Sequence, residues 1–320
     1  MGMTIIKPGI LTTVQDGGRL GHQNVGVPVS GAMDELALRV GNMLLTNDEH
    51  EAAIECTLMG PTIRFEHKQL ICIAGADLSP TLNGNPVSLW KPLLVDQGDI
   101  LAFGKRLTGM RCYICVYGGL QIPKVLGSLS TYLGGNFGGF EGRALQANDY
   151  IAFRNPYAFA ITEINWRLDP TIYPTLQSQA ISVLAGPHLK DFEELSIVHF
   201  LSEEFTIGNE SNRIGYRLET DYPLQRKIKK DILSSAVTFG TIQVTPQGMP
   251  IILMADRGTT GGYPIIAQVA SIDLPLLAQC IPSEKIVFKL VSLQEAQQLY
   301  RQQEQDIQLL KKVIAFKYDK

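Results

Sequence analysis

Pro250-Ile251-Ile252-Leu253-Met254-Ala255-Asp256-Arg257-Gly258-Thr259-Thr260-Gly261-Gly262-Tyr263-Pro264 joins an uninterrupted apolar run to a strongly polar one. The first six residues predict a buried strand, because a strand covered on both faces loses the alternation of a half-exposed one. That strand delivers an acid, a base, two hydroxyls and three glycines to one point. Glycine lets a backbone approach a ligand closely. Threonine hydroxyls and an arginine fork supply donors for a carboxylate or phosphate. Taken alone, the stretch reads either as a tight polar hairpin or as the mouth of an anion site.

Outward from it, strand-like runs dominate: Thr62-Ile63-Arg64-Phe65, Gln69 to Ala74, Arg111 to Tyr117 and Ala180 to Leu184. Asn83-Gly84, between Thr81-Leu82 and Pro86-Val87, predicts a two-residue hairpin. A short repeat recurs at Gln97-Gly98-Asp99-Ile100-Leu101-Ala102-Phe103, Ala147-Asn148-Asp149-Tyr150-Ile151-Ala152-Phe153 and Pro282-Ser283-Glu284-Lys285-Ile286-Val287-Phe288. Each copy is a turn, an acid and an apolar strand. Ile73-Ala74-Gly75-Ala76-Asp77 is likewise echoed by Leu184-Ala185-Gly186-Pro187-His188. These echoes predict a mainly β chain with a few helices, built as two tandem β-domains over 1–168 and 176–291. A proline-rich linker would lie near Arg167–Thr175. Met33, Leu36, Ala37, Val40, Met43 and Leu44 keep helical spacing. Ser292-Leu293-Gln294-Glu295 is a capping box opening a C-terminal helix and tail over 292–320.

A length of 320 residues suits two domains. Charged residues make up 18% of the chain, below the roughly 25% of average domains, which favours a surface buried against another polypeptide. A net charge of −3 without a basic run argues against nucleic acid and anionic membrane as main partners. No apolar run reaches the roughly 18 residues of a membrane helix. The N-terminus has no signal-peptide layout, so a cytoplasmic home is expected. Cys112 and Cys115 form a C-x-x-C, but on a strand positions three apart face opposite sides. The five cysteines are therefore read as reduced structural thiols, and no metal site is predicted.

A second polar word, Thr12-Thr13-Val14-Gln15-Asp16-Gly17-Gly18-Arg19, precedes Ser30-Gly31-Ala32-Met33-Asp34. Ser30 reads either as a helix cap or as part of an anion site at a helix N-terminus. The glycine-rich stretch 134–142 has no phosphate-loop spacing and reads as a mobile loop, a lid or a phosphate binder. In Ser211-Asn212-Arg213-Ile214-Gly215-Tyr216-Arg217-Leu218, Arg213 and Arg217 share strand parity, which reads either as two arginines facing one ligand or as ordinary surface arginines of a strand. Gln243, in an apolar strand, is either a satisfied core amide or a substrate reader. His188 ends an apolar strand and is a candidate cleft residue.

Gly9 to Arg19, Ser30 to Asp34, Val125-Leu126-Gly127-Ser128, Ser211 to Leu218 and Met254 to Pro264 occur in an order that strongly resembles one family. This is the family of the 5-oxoprolinase C subunit, also described as allophanate hydrolase subunit 2 or biotin-dependent carboxyltransferase. The resemblance covers nearly the whole chain. It departs at Phe239, where proline is usual, and at Gly258, where glutamine is common. It implies two tandem cyclophilin-like β-barrel domains. It further implies a complex with the 5-oxoprolinase B subunit, which is allophanate hydrolase subunit 1-like, plus a LamB/YcsF-type A subunit. That complex opens 5-oxoproline to glutamate with ATP and Mg²⁺. Phosphorylating the lactam oxygen would supply the leaving group that a stable amide lacks. By residue type and motif position, Asp16, Arg19, Asp256 and Arg257 are expected to be catalytic. Gln15, Ser30, Asp34, Arg213, Gln243, Thr259, Thr260, Gly262 and Tyr263 are expected to bind substrate or phosphate. Asp16, Asp34 and Asp256 would hold Mg²⁺ or orient the arginines.

The family also contains carboxyltransferase components of urea-carboxylase-like enzymes. Biotin would then sit on a partner, since this chain has no Met-Lys-Met attachment word. A third expectation is a non-enzymatic antagonist of a kinase-inhibitor partner, which would need the interface but not the arginines.

Overall fold

Strands collect into two compact units, each with its own core. The computed structural model describes residues 1–157, 166–169, 173, 180–227 and 231–318. The first unit comprises 1–20, 30–174 and 307–320, and the second 21–29 and 175–306. Much of the expected linker near Arg167–Thr175 lies outside the described residues.

The first unit is two antiparallel sheets around one core. The six-stranded sheet runs Tyr150–Ala152, Gly2–Lys7, Thr62–Phe65, Ile100–Phe103, Pro80–Leu82, Asn85–Pro86. The five-stranded sheet runs Leu11–Gln15, Ala53–Thr57, Thr108–Val116, Gln69–Asp77, Pro92–Val95. Met3, Ile5, Ile63 and Phe65 of one sheet meet Val14, Ile54, Ile73 and Ile114 of the other. Fully burying each such side chain is worth about 1.5–3 kcal/mol. The outer face of the five-stranded sheet carries a second core, covered by helix α1 (Glu35–Met43) and by Ile307, Leu310 and Ile314. Cys112 faces the first core and Cys115 the second, as strand alternation requires. At Gly41 of α1 an added Cβ would lie 2.7 Å from Cys115 Sγ, so only glycine allows so close a helix.

The second unit closes a seven-stranded barrel: Ala180–Ala185, Ile265–Val269, Thr241–Val244, Pro250–Leu253, Gly215–Glu219, Phe205–Ile207, Lys285–Leu290. A parallel pairing, Ala180 opposite Val287, shuts the ring. Phe200 of helix α2 (Glu194–Ser202) stacks on Phe288, with ring centres 4.7 Å apart. Helix α3 is Leu274–Gln279. The two units thus reach the mainly β architecture differently, one by closing a barrel and one by facing two sheets.

The sequence repeat has a structural cause. In each copy the carboxylate accepts the N–H three residues earlier: Asp99 from Asp96 at 2.8 Å, Asp149 from Gln146 at 2.7 Å, Glu284 from Ile281 at 3.0 Å. The residue before each acid is left-handed, with φ of 90° at Gly98, 71° at Asn148 and 72° at Ser283. Each turn then clamps a buried residue of a neighbouring strand by two main-chain hydrogen bonds, to Phe65, Ile5 and Ile207 respectively. The Asn83-Gly84 hairpin also forms, with φ of 52° and 81° at its two central residues.

The C-terminal helix α4 spans Leu293–Tyr318. The capping box closes as expected: Glu295 accepts the Ser292 N–H at 2.8 Å, and the Glu295 N–H reaches Ser292 Oγ at 3.2 Å. The helix continues to Tyr318 because Ile307, Leu310, Ile314 and Tyr318 extend the apolar stripe. Tyr318 donates to the Leu44 carbonyl at 2.7 Å. Among the described residues no helix is long and apolar enough to cross a membrane.

Candidate functional site

In the first unit the polar residues organise around Asp16. It lies just past the strand Leu11–Gln15 and is nearly buried. Its carboxylate accepts from Gly18 N–H at 2.8 Å, Ser128 Oγ at 2.7 Å, Leu129 N–H at 2.6 Å and the Ser130 hydroxyl. Its carbonyl takes the Ala32 N–H at 3.0 Å. One carboxylate thereby ties 16–18, 30–32 and 128–130 together. Arg19, fully buried, donates to the carbonyls of Val125 at 3.1 Å and Ser130 at 2.7 Å and lies over the Phe137 ring.

The glycine stretch expected to be mobile packs onto this cluster. A Cβ on Gly138 would fall 2.2 Å from the Ser130 carbonyl and 2.5 Å from an Arg19 Nη. Its backbone rests directly on Arg19 and Ser130, which fits a wall rather than a lid.

Ser30 does not cap α1. Asp34 does, accepting the Ala37 N–H at 2.9 Å. A carboxylate thus occupies the helix N-terminus where an external anion was considered, because the helix begins four residues later than Ser30 requires. Asp34 also bonds Tyr173, and its N–H donates to Tyr113 Oη at 2.8 Å. Tyr113 in turn donates to Glu55 at 2.7 Å. Burial, then the Glu55 and Asp34 charges, push the Tyr113 phenol well up, so it stays a neutral donor. Glu55 and Tyr113 were missed from sequence. The available signal was an acid inside the apolar run Ala52-Ala53-Ile54-Glu55-Cys56, since a buried carboxylate needs dedicated donors.

In the second unit Arg213 and Asp256 form a two-pronged ion pair, each side chain only 5% exposed. Among the described residues Arg257, 9% exposed, reaches only the Met254 and Ala255 carbonyls, at 3.4 and 3.5 Å. Its buried Nε has no partner among the described residues. Burial pulls its pKa below the usual arginine range, partly countered by Asp256. Gln243 donates to the Tyr263 carbonyl at 3.2 Å. Gly261 lies so close that a Cβ there would fall 2.4 Å from the Gln243 amide nitrogen. Thr260 and Gly261 pair with Ser235–Ala236 in a short ribbon. Thr260, Gly262 and Tyr263 are exposed and Thr259 half-buried.

Arg213 and Arg217 do not converge as expected. Arg213 lies before the strand Gly215–Glu219, so parity does not govern it, and it turns inward to Asp256. Arg217 is exposed beside Glu210. His188 is a structural acceptor, taking the Ile265 N–H at 3.0 Å.

Every oxygen of Asp16 and Asp256 already accepts a protein donor. Among the described residues no group of three or more acids, histidines or cysteines is placed to hold a metal ion. These carboxylates orient arginine and loop donors.

Residues 25–290 match the carboxyltransferase domain, subdomain A and B, family model. The chain is 39% identical over 302 residues to the 5-oxoprolinase C subunit of Haemophilus influenzae, covering 94% of this chain and 95% of that protein. It is 36% identical to the 5-oxoprolinase C subunit of Escherichia coli, over 92% of this chain and 93% of that one. Among solved structures it resembles the Kluyveromyces lactis urea amidolyase with TM-score 0.88 and 31% identity, over 96% of this chain and 20% of that one. The family-model match and these identities agree, and this chain belongs to the carboxyltransferase domain, subdomain A and B, family.

Proposed function

We propose that this chain is the C subunit of a 5-oxoprolinase complex that hydrolyses 5-oxoproline to glutamate with ATP, working with a B subunit, plus a LamB/YcsF-type A subunit. The reading rests on the end-to-end match with the Haemophilus 5-oxoprolinase C subunit. Arg257 supports an anionic substrate: a buried guanidinium without a carboxylate partner calls for an anion. Asp256 cannot supply it, being held by Arg213. In the proposed reaction the ATP γ-phosphoryl passes to the lactam oxygen. Water then adds at that carbon, the ring C–N bond breaks as the nitrogen takes a proton, and a second water hydrolyses the resulting acyl phosphate to the carboxylate and free phosphate. Since the carboxylates of Asp16 and Asp256 are engaged by protein donors, this chain's part is assigned to gripping the substrate anion, with the metal–nucleotide held elsewhere in the complex.

A second reading has its own support in the family match and in the urea amidolyase likeness. It makes the chain a carboxyltransferase component that receives a carboxyl group from biotin on a partner. Glutamate formation from 5-oxoproline and ATP by the chain reconstituted with its two partners decides between them. Loss of glutamate formation when this chain is omitted is expected. Biotin- and bicarbonate-dependent carboxylation of an amide, without ring opening, would overturn the first reading. A complex that assembles but lacks both activities would favour a binding antagonist.

A further inference from the structure

Gln15 Oε1 and Ser30 Oγ are buried and have no hydrogen-bond partner among the described residues. Gln15 is fully buried and Ser30 is 5% exposed. A fold rarely leaves such groups unanswered, because each forfeits its bonds to water and receives nothing in return.

The direction of the Gln15 amide follows from its neighbours. Its Nε2 donates to Thr13 Oγ1 at 3.0 Å and to the Thr131 carbonyl at 3.2 Å. A flipped amide would set Oε1 against that carbonyl, two acceptors face to face, so the observed orientation is the one the network allows. What remains is a fixed, buried acceptor that only an N–H or O–H donor can satisfy. Ser30 adds a hydroxyl able to donate to a carbonyl or to accept.

Ser30 also has a strained backbone, with φ of 55° and no glycine to relieve it. Strain of this kind persists where the surroundings enforce it and clusters at binding sites. The enforcement is visible. A Cβ on the following residue, Gly31, would lie 3.0 Å from Gly18 N, and Ala32 is bonded to Asp16. Gln15 and Ser30 therefore belong to segments locked together by Asp16. Asp16 and Asp34 are both acids of these segments, which disfavours a second anion and favours a neutral ligand group.

We propose that Gln15 and Ser30 form a recognition site for a neutral amide: Gln15 Oε1 accepts the amide N–H, and Ser30 Oγ bonds its carbonyl side. This rests on the reaction proposed above in so far as the amide is the lactam of 5-oxoproline.

The test uses the reconstituted complex with Gln15→Met and Ser30→Gly. The proposal expects KM for 5-oxoproline to rise about tenfold for each, with kcat changed little, as for loss of one or two neutral hydrogen bonds. It expects the wild type to reject N-methyl-5-oxoproline, and Gln15→Met to lose that preference. It further expects Ser30→Gly to raise the melting temperature by about 2 °C, since strain is relieved and no native bond is lost. A lower melting temperature with unchanged KM would overturn it, showing that both side chains serve the fold or a trapped water. If the wild-type complex opens no lactam, calorimetric titration of the intact complex with 2-pyrrolidinone and urea still decides. Binding weakened by Gln15→Met supports an amide site, and equal binding, or none, sinks it.

Discussion

Arg213 grips Asp256 through two parallel hydrogen bonds, Nε to Oδ2 at 2.9 Å and Nη2 to Oδ1 at 3.0 Å. The Asp256 N–H closes back on the Arg213 carbonyl at 2.8 Å. The pair fixes the chain where the barrel strand Pro250–Leu253 ends. It also decides the state of Arg257, which stands beside a carboxylate whose two oxygens are already bonded.

Arg257→Met should weaken binding of the anionic substrate, lowering kcat/KM about a hundredfold, the order of losing a charge-assisted contact. Stability should hold or rise slightly, because a desolvated cation is removed. Steady-state kinetics of the complex and a melting curve of the chain check both halves. A large loss of stability with normal kinetics would make Arg257 a structural residue.

Asp256→Asn should behave in the opposite way. It leaves the buried Arg213 charge uncompensated, which costs about 3–5 kcal/mol when a buried pair is broken. Denaturant unfolding should show the second unit's midpoint falling well before any kinetic effect is interpretable. A midpoint within error of the wild type would show that the pair contributes little.

Acid sensitivity is expected in the first unit. Glu49 and Asp149 are held below the usual carboxylate range. Burial is the largest influence on each and opposes ionisation, but the partners together outweigh it. Lys311 and Arg39 act on Glu49, and Arg143 and the Gln146 N–H on Asp149. A carboxyl with a depressed folded pKa stabilises above its unfolded value and loses that contribution as pH falls through the folded one. Stability should therefore be flat from about pH 7 to 5 and fall below about pH 4. Asp149→Asn should reduce that fall, read from urea midpoints across the range. Equal pH slopes in variant and wild type would contradict it.

The repeated turns predict a gain. Asn148 and Ser283 occupy the left-handed position that Gly98 fills in the first copy. Asn148→Gly and Ser283→Gly should each stabilise by about 0.5–1 kcal/mol, more for serine, since asparagine tolerates this region better. Thermal unfolding measures it, and a decrease for Ser283→Gly would mean its side chain matters more than its backbone.

Much of the fold was legible because it depends on local rules. The capping box at Ser292, the Asn83-Gly84 hairpin and the three turn–acid–strand copies are each set by side chains within a few residues of one another. The apolar run before Asp256 likewise became a barrel strand, Pro250–Leu253, but its burial alternates rather than covering both faces, because one face of a barrel strand points outward. What escaped depends on distant chain. Ser128 and Ser130 join Asp16 across more than a hundred residues, and no periodicity announces that. Glu55 and Tyr113 meet by cross-strand register, Tyr113 lying opposite Glu55, which a single sequence does not print. Parity does not govern Arg213 because the strand starts two residues later, and Ser30 is not the cap because the helix starts at Glu35, one residue past Asp34.

The three turns also bear on how this chain tolerates change. Each clamp is made of main-chain groups and one carboxylate, and the turn residues vary between copies: Gly, Asn or Ser before the acid, Asp or Glu as the acid. Longer Glu284 reaches the same N–H that the aspartates reach, so the joint constrains geometry and leaves identity open. A corner defined in this way is an interchangeable part. Its turn residues are free to vary while the strands it joins stay in register.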